Sequence, residues 1–289
     1  MHRWHKRRQK FRAVLQREGC SFPASVYDPV SVRIAEDLGF EVGIFGGSVA
    51  SLTVLGAPHL ILLTLTELAA QVMRISRASE LPVLVDADHG YGNALNTMRC
   101  VEELEAAGVA GLSVEDTELP AVTAGGEPRL ISLAEGVGKM KAALSARADP
   151  DLVIAARTSA AIITDARDAA TRMQAYEQAG VDALFLYGVK DLAGLETIAR
   201  ATTLPLILGN APRSLKEPGV LAANRVKICL RGHQPFAAAT QAIYDTLRRL
   251  KAGEDPAKLP NLASVSLMET VSRTGDYKRW AGQFLDADG

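Results

Sequence analysis

Apolar runs of strand length recur eight times along this chain, separated by stretches with helical spacing, and that alternation restricts the folds open to it. The runs are Cys20 to Val26, Val42 to Phe45, Pro82 to Asp86, Gly111 to Glu115, Leu152 to Arg157, Ala183 to Tyr187, Pro205 to Gly209 and Arg225 to Leu230. Runs that are apolar throughout, rather than at alternate positions, belong to strands buried on both faces, which is the situation of a parallel sheet covered by helices. Three junctions share a cassette in which a helix ends in glycine plus an apolar residue: Leu38-Gly39-Phe40, Ala107-Gly108-Val109 and Ala179-Gly180-Val181. Glycine there suits the left-handed position just past a helix. Two further runs follow Leu81-Pro82 and Leu204-Pro205, where proline is tolerated as the first strand residue. Eight such units predict the α/β class and a (β/α)8 TIM barrel.

A chain of 289 residues leaves only short additions beyond the roughly 250 typical of that barrel, and no linker divides it. The expectation is one barrel domain over residues 1–289, with residues 261–289 as a helical extension of it. Outer-ring helices are expected over Ala94 to Ala107, Leu133 to Ala146, Ala166 to Ala179 and Pro235 to Ala252. After a turn-rich stretch from Gly253 to Pro260, helices over Ala263 to Arg273 and Asp276 to Leu285 exceed what a single barrel needs. A formal charge of −1 draws the chain to neither nucleic acid nor membrane, and no apolar stretch has secretory or transmembrane length, which points to the cytoplasm. Arg3, Lys6, Arg7, Arg8, Lys10 and Arg12 are read as the solvated face of a first helix whose other face carries Trp4, Phe11, Val14 and Leu15. Cys20, Cys100 and Cys229 are odd in number and scattered through strand and helix patterns, as reduced core residues are.

Function in such a barrel collects at the carboxyl ends of the strands. The third run, Val83-Leu84-Val85-Asp86, leads into Ala87-Asp88-His89-Gly90-Tyr91-Gly92-Asn93. Strand side chains alternate, so Asp86 and Asp88 project the same way, and two adjacent carboxylates attract a cation. Oxygen ligands favour a hard ion, and Mg2+ uses only one or two carboxylates. A bare Asp-x-Asp is more often a helix cap beside a solvated acid; the apolar strand before it and the glycine turn after it favour the metal. Glu115 ends the fourth run at the same rim, either as a carboxylate holding a metal-bound water or as an ion-pair partner of Arg157. Arg157 ends the fifth run, with a guanidinium suited either to a substrate carboxylate or enolate or to a structural ion pair. Gly46-Gly47-Ser48 after the second run offers backbone N–H groups and a hydroxyl to an anion, although a plain tight turn is the commoner meaning. His233 after the eighth run is placed to reach a ligand, as is His89 by position. His2, His5 and His59 lie in loop or terminal sequence and receive no role, and Asp28-Pro29 reads as a helix cap with proline at the first helical position.

The run Asp86 to Asn93, with Gly46-Gly47-Ser48, Glu115-Asp116 and Ala156-Arg157-Thr158, resembles the isocitrate lyase and phosphoenolpyruvate mutase superfamily over nearly the whole chain. Gly47 to Ser51 and Gly232-His233 most resemble its oxaloacetate decarboxylase branch. The resemblance implies Asp86 as a direct Mg2+ ligand, with Mn2+ able to substitute, and Asp88 and Glu115 acting through water. It implies Gly47, Ser48, Arg157 and His233 as contacts to a 2-oxo dicarboxylate, with Arg157 and His233 the catalytic pair. It also implies a homotetramer, a dimer of dimers, in which a C-terminal helix is exchanged. The superfamily's lyases carry a cysteine- and histidine-bearing acid loop after the fourth strand, and its mutases carry Lys and Asn there; Leu119 to Gly126 has none of these. Where some decarboxylase relatives have a tyrosine near the end of the seventh strand, this chain has Gly209-Asn210, with Asn210 as a candidate substitute donor. The expected reaction is Mg2+-dependent decarboxylation of oxaloacetate to pyruvate. A carbon-carbon lyase acting on a substituted malate or methylisocitrate, and a non-catalytic 2-oxo acid binder, are the alternatives.

Overall fold

The structure, a computed structural model, describes residues 4–119 and 127–285. Each of the eight runs contains a strand: β1 (Ala24–Ser25), β2 (Gly43–Phe45), β3 (Val83–Asp86), β4 (Gly111–Glu115), β5 (Val153–Thr158), β6 (Ala183–Tyr187), β7 (Leu206–Gly209) and β8 (Val226–Cys229). They pair in parallel in chain order. The sheet curls back on itself just before β1: the Ser21 N–H donates to the Lys227 carbonyl at 2.8 Å, and the Cys229 N–H donates to the Ser21 carbonyl at 3.0 Å. This is the (β/α)8 barrel that the alternation predicts.

The helices are α1 (His5–Gln16), α2 (Pro29–Asp37), α3 (Gly47–Leu55), α4 (Leu65–Ala78), α5 (Ala94–Ala107), α6 (Leu133–Ala146), α7 (Ala160–Ile163), α8 (Ala166–Ala179), α9 (Leu192–Arg200), α10 (Pro218–Ala223), α11 (Gln234–Lys251), α12 (Val265–Ser272) and α13 (Thr274–Phe284). Gly39, Gly108 and Gly180 adopt φ of 79°, 97° and 100°, as the three cassettes require. Asp28 caps α2 by accepting the Ser31 N–H at 2.7 Å, and Pro29 is its first residue.

Alternation along the strands separates two cores. Ile44, Leu84, Ala155, Phe185, Ile207 and Ile228 point into the barrel and form one buried cluster. Phe45, Val85, Leu112, Ile154, Leu184 and Leu208 point outward into the layer beneath the helices. Counting two residues on from the inward set puts Asp86, Arg157, Tyr187 and Gly209 at the carboxyl-terminal mouth.

Phe11, Val14 and Leu15 of α1 join the inward cluster. The basic face of that helix is where the expectation of solvation fails. Lys6 and Lys10 are exposed, but Arg7 and Arg8 are buried; Arg3 lies outside the described residues. Arg8 donates to the carbonyls of Val109 (3.1 Å) and Glu105 (2.7 Å) and to Asp149 (2.8 Å). Arg7 pairs with Glu80 at 2.9 Å and lies 4.6 Å over the Trp4 ring. These partners are distant in sequence, so a charge count along one helix does not reveal them. All three cysteines are free thiols.

The described residues fall into two compact units that divide between His233 and Gln234. The second unit holds α11, α12 and α13. Ile243, Tyr244 and Leu247 form an exposed apolar stripe on α11, and Val265, Met268, Tyr277, Trp280 and Phe284 are exposed on α12 and α13. Among the described residues no helix is long and apolar enough to cross a membrane.

Arg8→Ala leaves Asp149 buried without its guanidinium, so unfolding in urea should show a loss of about 3–5 kcal/mol, the usual cost of breaking a buried ion pair from one side. A loss below about 1 kcal/mol would mean that the amino-terminal closure of the barrel does not depend on this residue.

Candidate active site

Asp86 closes β3, and the chain then turns sharply through Asp88, whose φ is 47°. The turn is held by the Asp88 N–H donating to Asp86 Oδ1 at 3.3 Å and the Glu115 N–H donating to the Asp88 carbonyl at 2.8 Å. All three acids are buried. Burial pushes the Asp88 carboxyl above its ordinary range. It raises Glu115 to about 7, against the pull of Arg157. Arg157 reaches across the mouth with Nη1 2.5 Å from Asp86 Oδ2 and Nη2 3.3 Å from Glu115 Oε2. Burial works against its charge, but Asp86 and Glu115 outweigh burial and hold the guanidinium above its usual value. Phe185 and Tyr187 stand 5.3 and 5.0 Å from its central carbon. The ion pair left open by the sequence is therefore present, and Arg157 Nε is buried with no hydrogen-bond partner among the described residues.

Beside the acids, β2 and β8 supply the next stretch of the rim. Gly46 is the N-cap of α3, so Gly46-Gly47-Ser48 opens a helix rather than forming an isolated turn. The first N–H groups of a helix have no partner inside it and suit an anion. A Cβ on Gly46 would meet the His233 ring at 2.8 Å; one on Gly47 would meet Asp88 Oδ1 at 2.5 Å and His59 Nε2 at 2.6 Å. Only glycine lets the helix start approach both groups this closely. His233 Nδ1 shares a 2.7 Å hydrogen bond with Ser25 Oγ, and burial lowers the pKa of its imidazole against the pull of Asp86. Ser48, the second residue of α3, is partly buried. Asn210 sits exposed in a left-handed turn after β7 and shares none of the hydrogen bonds that tie these residues together.

Residues 11–251 match the family model described as phosphoenolpyruvate phosphomutase. The chain is 59% identical over 275 residues to the oxaloacetate decarboxylase of Bradyrhizobium diazoefficiens, covering 95% of this chain and 96% of that one. This chain belongs to the oxaloacetate decarboxylase family of the phosphoenolpyruvate mutase and isocitrate lyase superfamily. Among solved structures it is similar to phosphonopyruvate hydrolase in complex with oxalate and Mg2+, with a TM-score of 0.87 and 27% identity over 97% of this chain and 99% of that one. It is also similar to oxaloacetate acetylhydrolase in complex with the inhibitor 3,3-difluorooxaloacetate, with a TM-score of 0.83 and 25% identity over 96% and 97% of the two chains.

His59, given no role from the sequence, enters the site: its Nε2 lies 2.9 Å from Asp88 Oδ1, and that bond raises the pKa of the imidazole. The loop after α3 folds back over the mouth, which a lone histidine in a Gly-Ala-Pro-His stretch does not announce. The nearest sequence signal was the Gly-Gly pair, since tight approach implies something to approach. His89 is buried beneath the mouth, its carbonyl held by Lys139 Nζ at 3.0 Å and its pKa lowered to about 4 by burial and by Lys139. His5, Asp149 and Asp151 bring three ligand atoms within reach of one ion, but just before β5, at the amino-terminal end. Arg8 and Arg12 already neutralise those two acids, so that cluster is an ionic network away from the mouth. Pro120 to Gly126, the part of the loop whose missing acid bears on the choice of reaction, lie outside the described residues.

Gly47→Ala costs nothing in backbone strain at a helix start and acts only through its new Cβ. Titration with Mn2+ followed by electron paramagnetic resonance should show affinity falling about ten- to hundredfold, the scale on which a metal site responds to a displaced outer partner. Gly138→Ala, where a Cβ meets nothing within 4 Å, should leave affinity unchanged. Equal behaviour of the two variants would dissociate Gly47 from the metal end.

Proposed function

We propose that the protein is a Mg2+-dependent oxaloacetate decarboxylase that releases pyruvate and CO2. The observation that carries this reading is the buried set of Asp86, Asp88 and Glu115 facing the single guanidinium of Arg157 at the mouth, in a chain 59% identical to a protein named for that activity. Three carboxylates against one fixed cation leave room for a divalent ion, and all-oxygen donors suit Mg2+ or Mn2+. Asp86 would hold the ion directly, and Asp88 and Glu115 would hold it through water. When bound, the ion draws electron density from the 2-oxo group as the carbon-carbon bond breaks.

The chain's own groups do the rest. The Gly47 and Ser48 N–H groups and the Ser48 hydroxyl orient the C1 carboxylate at the start of α3. Arg157 is already in place for the negative charge that gathers on the C2 oxygen as the C3–C4 bond breaks and CO2 leaves. His233, fixed by Ser25, orients the departing carboxylate from the β8 side. A proton from solvent at C3 converts the enolate to pyruvate. Asn210 is a further contact, limited to the entrance.

The molecule assembles as a cytoplasmic homotetramer, a dimer of dimers. The barrel is its one catalytic domain, and the carboxyl-terminal segment, with α12 and α13, is exchanged between subunits. The exposed apolar residues Val265, Met268, Trp280 and Phe284 support this, since a face of that kind needs a partner surface.

CO2 release from oxaloacetate should stop in excess chelator and return with Mg2+ or Mn2+. Asp86→Ala should abolish Mn2+ binding, while Asp88→Ala and Glu115→Ala should weaken it about ten- to hundredfold. Decarboxylation that persists in chelator would sink the metal-dependent reading. Deletion after Pro260 should cost solubility or convert the assembly to smaller species by light scattering. A soluble, active protein with unchanged assembly would make the tail an accessory.

A further inference from the structure

Tyr187 ends β6 half-buried at the mouth, and neither the family resemblance nor the motif reading assigns it anything. Strand register sets its height: Arg157 pairs with Phe185, and Tyr187, one inward position further along, pairs with Gly209. The guanidinium of Arg157 is therefore flanked by two rings, Phe185 at its own level and Tyr187 one layer nearer solvent, at 5.3 and 5.0 Å. From β6 to β8 the inward strand-end positions are Tyr187, Gly209 and Leu230. A side chain at Gly209 is excluded because its Cβ would meet the Phe185 ring at 2.8 Å, and Leu230 packs against the inward cluster. Among these described positions Tyr187 supplies the wall's one polar group. Its hydroxyl makes no hydrogen bond with any described residue. Packing against Arg157 explains the ring, which phenylalanine would supply equally well, but not the hydroxyl.

The orientation of the substrate follows from where the charges lie. Asp86, Asp88, Glu115 and the start of α3 occupy the β2 to β4 side, so a substrate chelated there by C1 and C2 directs its other end across Arg157, toward β6 to β8. That end changes from a carboxylate to neutral CO2 in the reaction. A cation gripping it would be lost on the way to the transition state and would raise the barrier, whereas a neutral donor orients it with little such penalty. We propose that Tyr187 is a substrate-contacting residue, donating its phenolic hydrogen to the departing carboxylate of the 2-oxo dicarboxylate while its ring keeps Arg157 against Asp86 and Glu115. This rests on the decarboxylase reading above.

The test compares two probes on the Mg2+-loaded full-length protein by calorimetry. 3,3-Difluorooxaloacetate carries the far carboxylate; oxalate offers only the metal end. Tyr187→Phe keeps the ring and should bind difluorooxaloacetate about tenfold more weakly, the scale of one lost hydrogen bond to a charged group, with oxalate changed less than about twofold. In turnover the same variant should raise KM for oxaloacetate more than it lowers kcat. Tyr187→Leu removes the ring as well and should weaken both probes. Wild-type affinity of Tyr187→Phe for difluorooxaloacetate, or an equal loss for both probes, overturns the assignment. Should the wild-type protein bind both probes yet release no CO2 from oxaloacetate, the decarboxylase reading fails by itself, and the calorimetry still decides whether Tyr187 touches the far carboxylate.

Discussion

The contact between Arg157 and the pair Asp86 and Glu115 governs the carboxyl-terminal mouth of this barrel. Three buried acids at the ends of neighbouring strands repel one another, and their desolvation is costly unless charge is supplied from within. The guanidinium supplies part of it and bridges β3, β4 and β5 in one geometry, with Phe185 and Tyr187 limiting where it can move. What it leaves is a site still biased toward negative charge, in which Glu115 titrates at about 7. That residual bias makes a divalent ion the natural completion of the cluster.

The amino-terminal end uses the same kind of interaction for a different purpose. Arg8 is more deeply buried than Arg157, and each of its three nitrogens has a fixed partner among two carbonyls and two carboxylates at the base of β4 and β5. At the mouth, by contrast, neither the buried Arg157 Nε nor the hydroxyl of Tyr187 has a hydrogen-bond partner among the described residues. Complete satisfaction at one end closes and stabilises the barrel, while incomplete satisfaction at the other is what allows binding.

Legibility in the sequence followed the range of the interaction. The strands other than β1, which occupies only Ala24–Ser25 of the run Cys20 to Val26, and the helices Ala94–Ala107, Leu133–Ala146 and Ala166–Ala179 are readable to within a residue, because apolar period and C-cap glycine are local signals. α4 lies outside the helices expected from the sequence, although Thr64 and Glu67 form a capping box at its start and Leu68, Val72 and Ile75 keep helical spacing. The acids and Arg157 were found because they end strands, where position in the barrel fixes direction. His59, Arg7 and Arg8 were misread because their partners lie on other elements: His59 meets Asp88 from a loop, and Arg8 meets Asp149 across the base of the barrel. No periodicity encodes such contacts. Gly46 and Gly47 carried the one indirect clue, since the pair is required by what comes close to them, His233 and the His59–Asp88 couple.

The distribution of charge around the mouth bears on which reaction the site can favour. Its β3 to β5 side is ionic, whereas its β6 side offers only a phenol at Tyr187, and the His233 imidazole lies over β1 and β2, hydrogen-bonded to Ser25 and packed on Gly46. A lyase that expels a carboxylate-bearing fragment gains from cations at the far side, since the fragment keeps its charge throughout. In decarboxylation that charge disappears into CO2 and reappears on the C2 oxygen, so stabilisation belongs near Arg157 and the acids' cation, and restraint belongs opposite. The asymmetry of this site, charged where charge accumulates and neutral where it vanishes, is the arrangement that lowers the barrier to loss of CO2 without holding back the group that must leave.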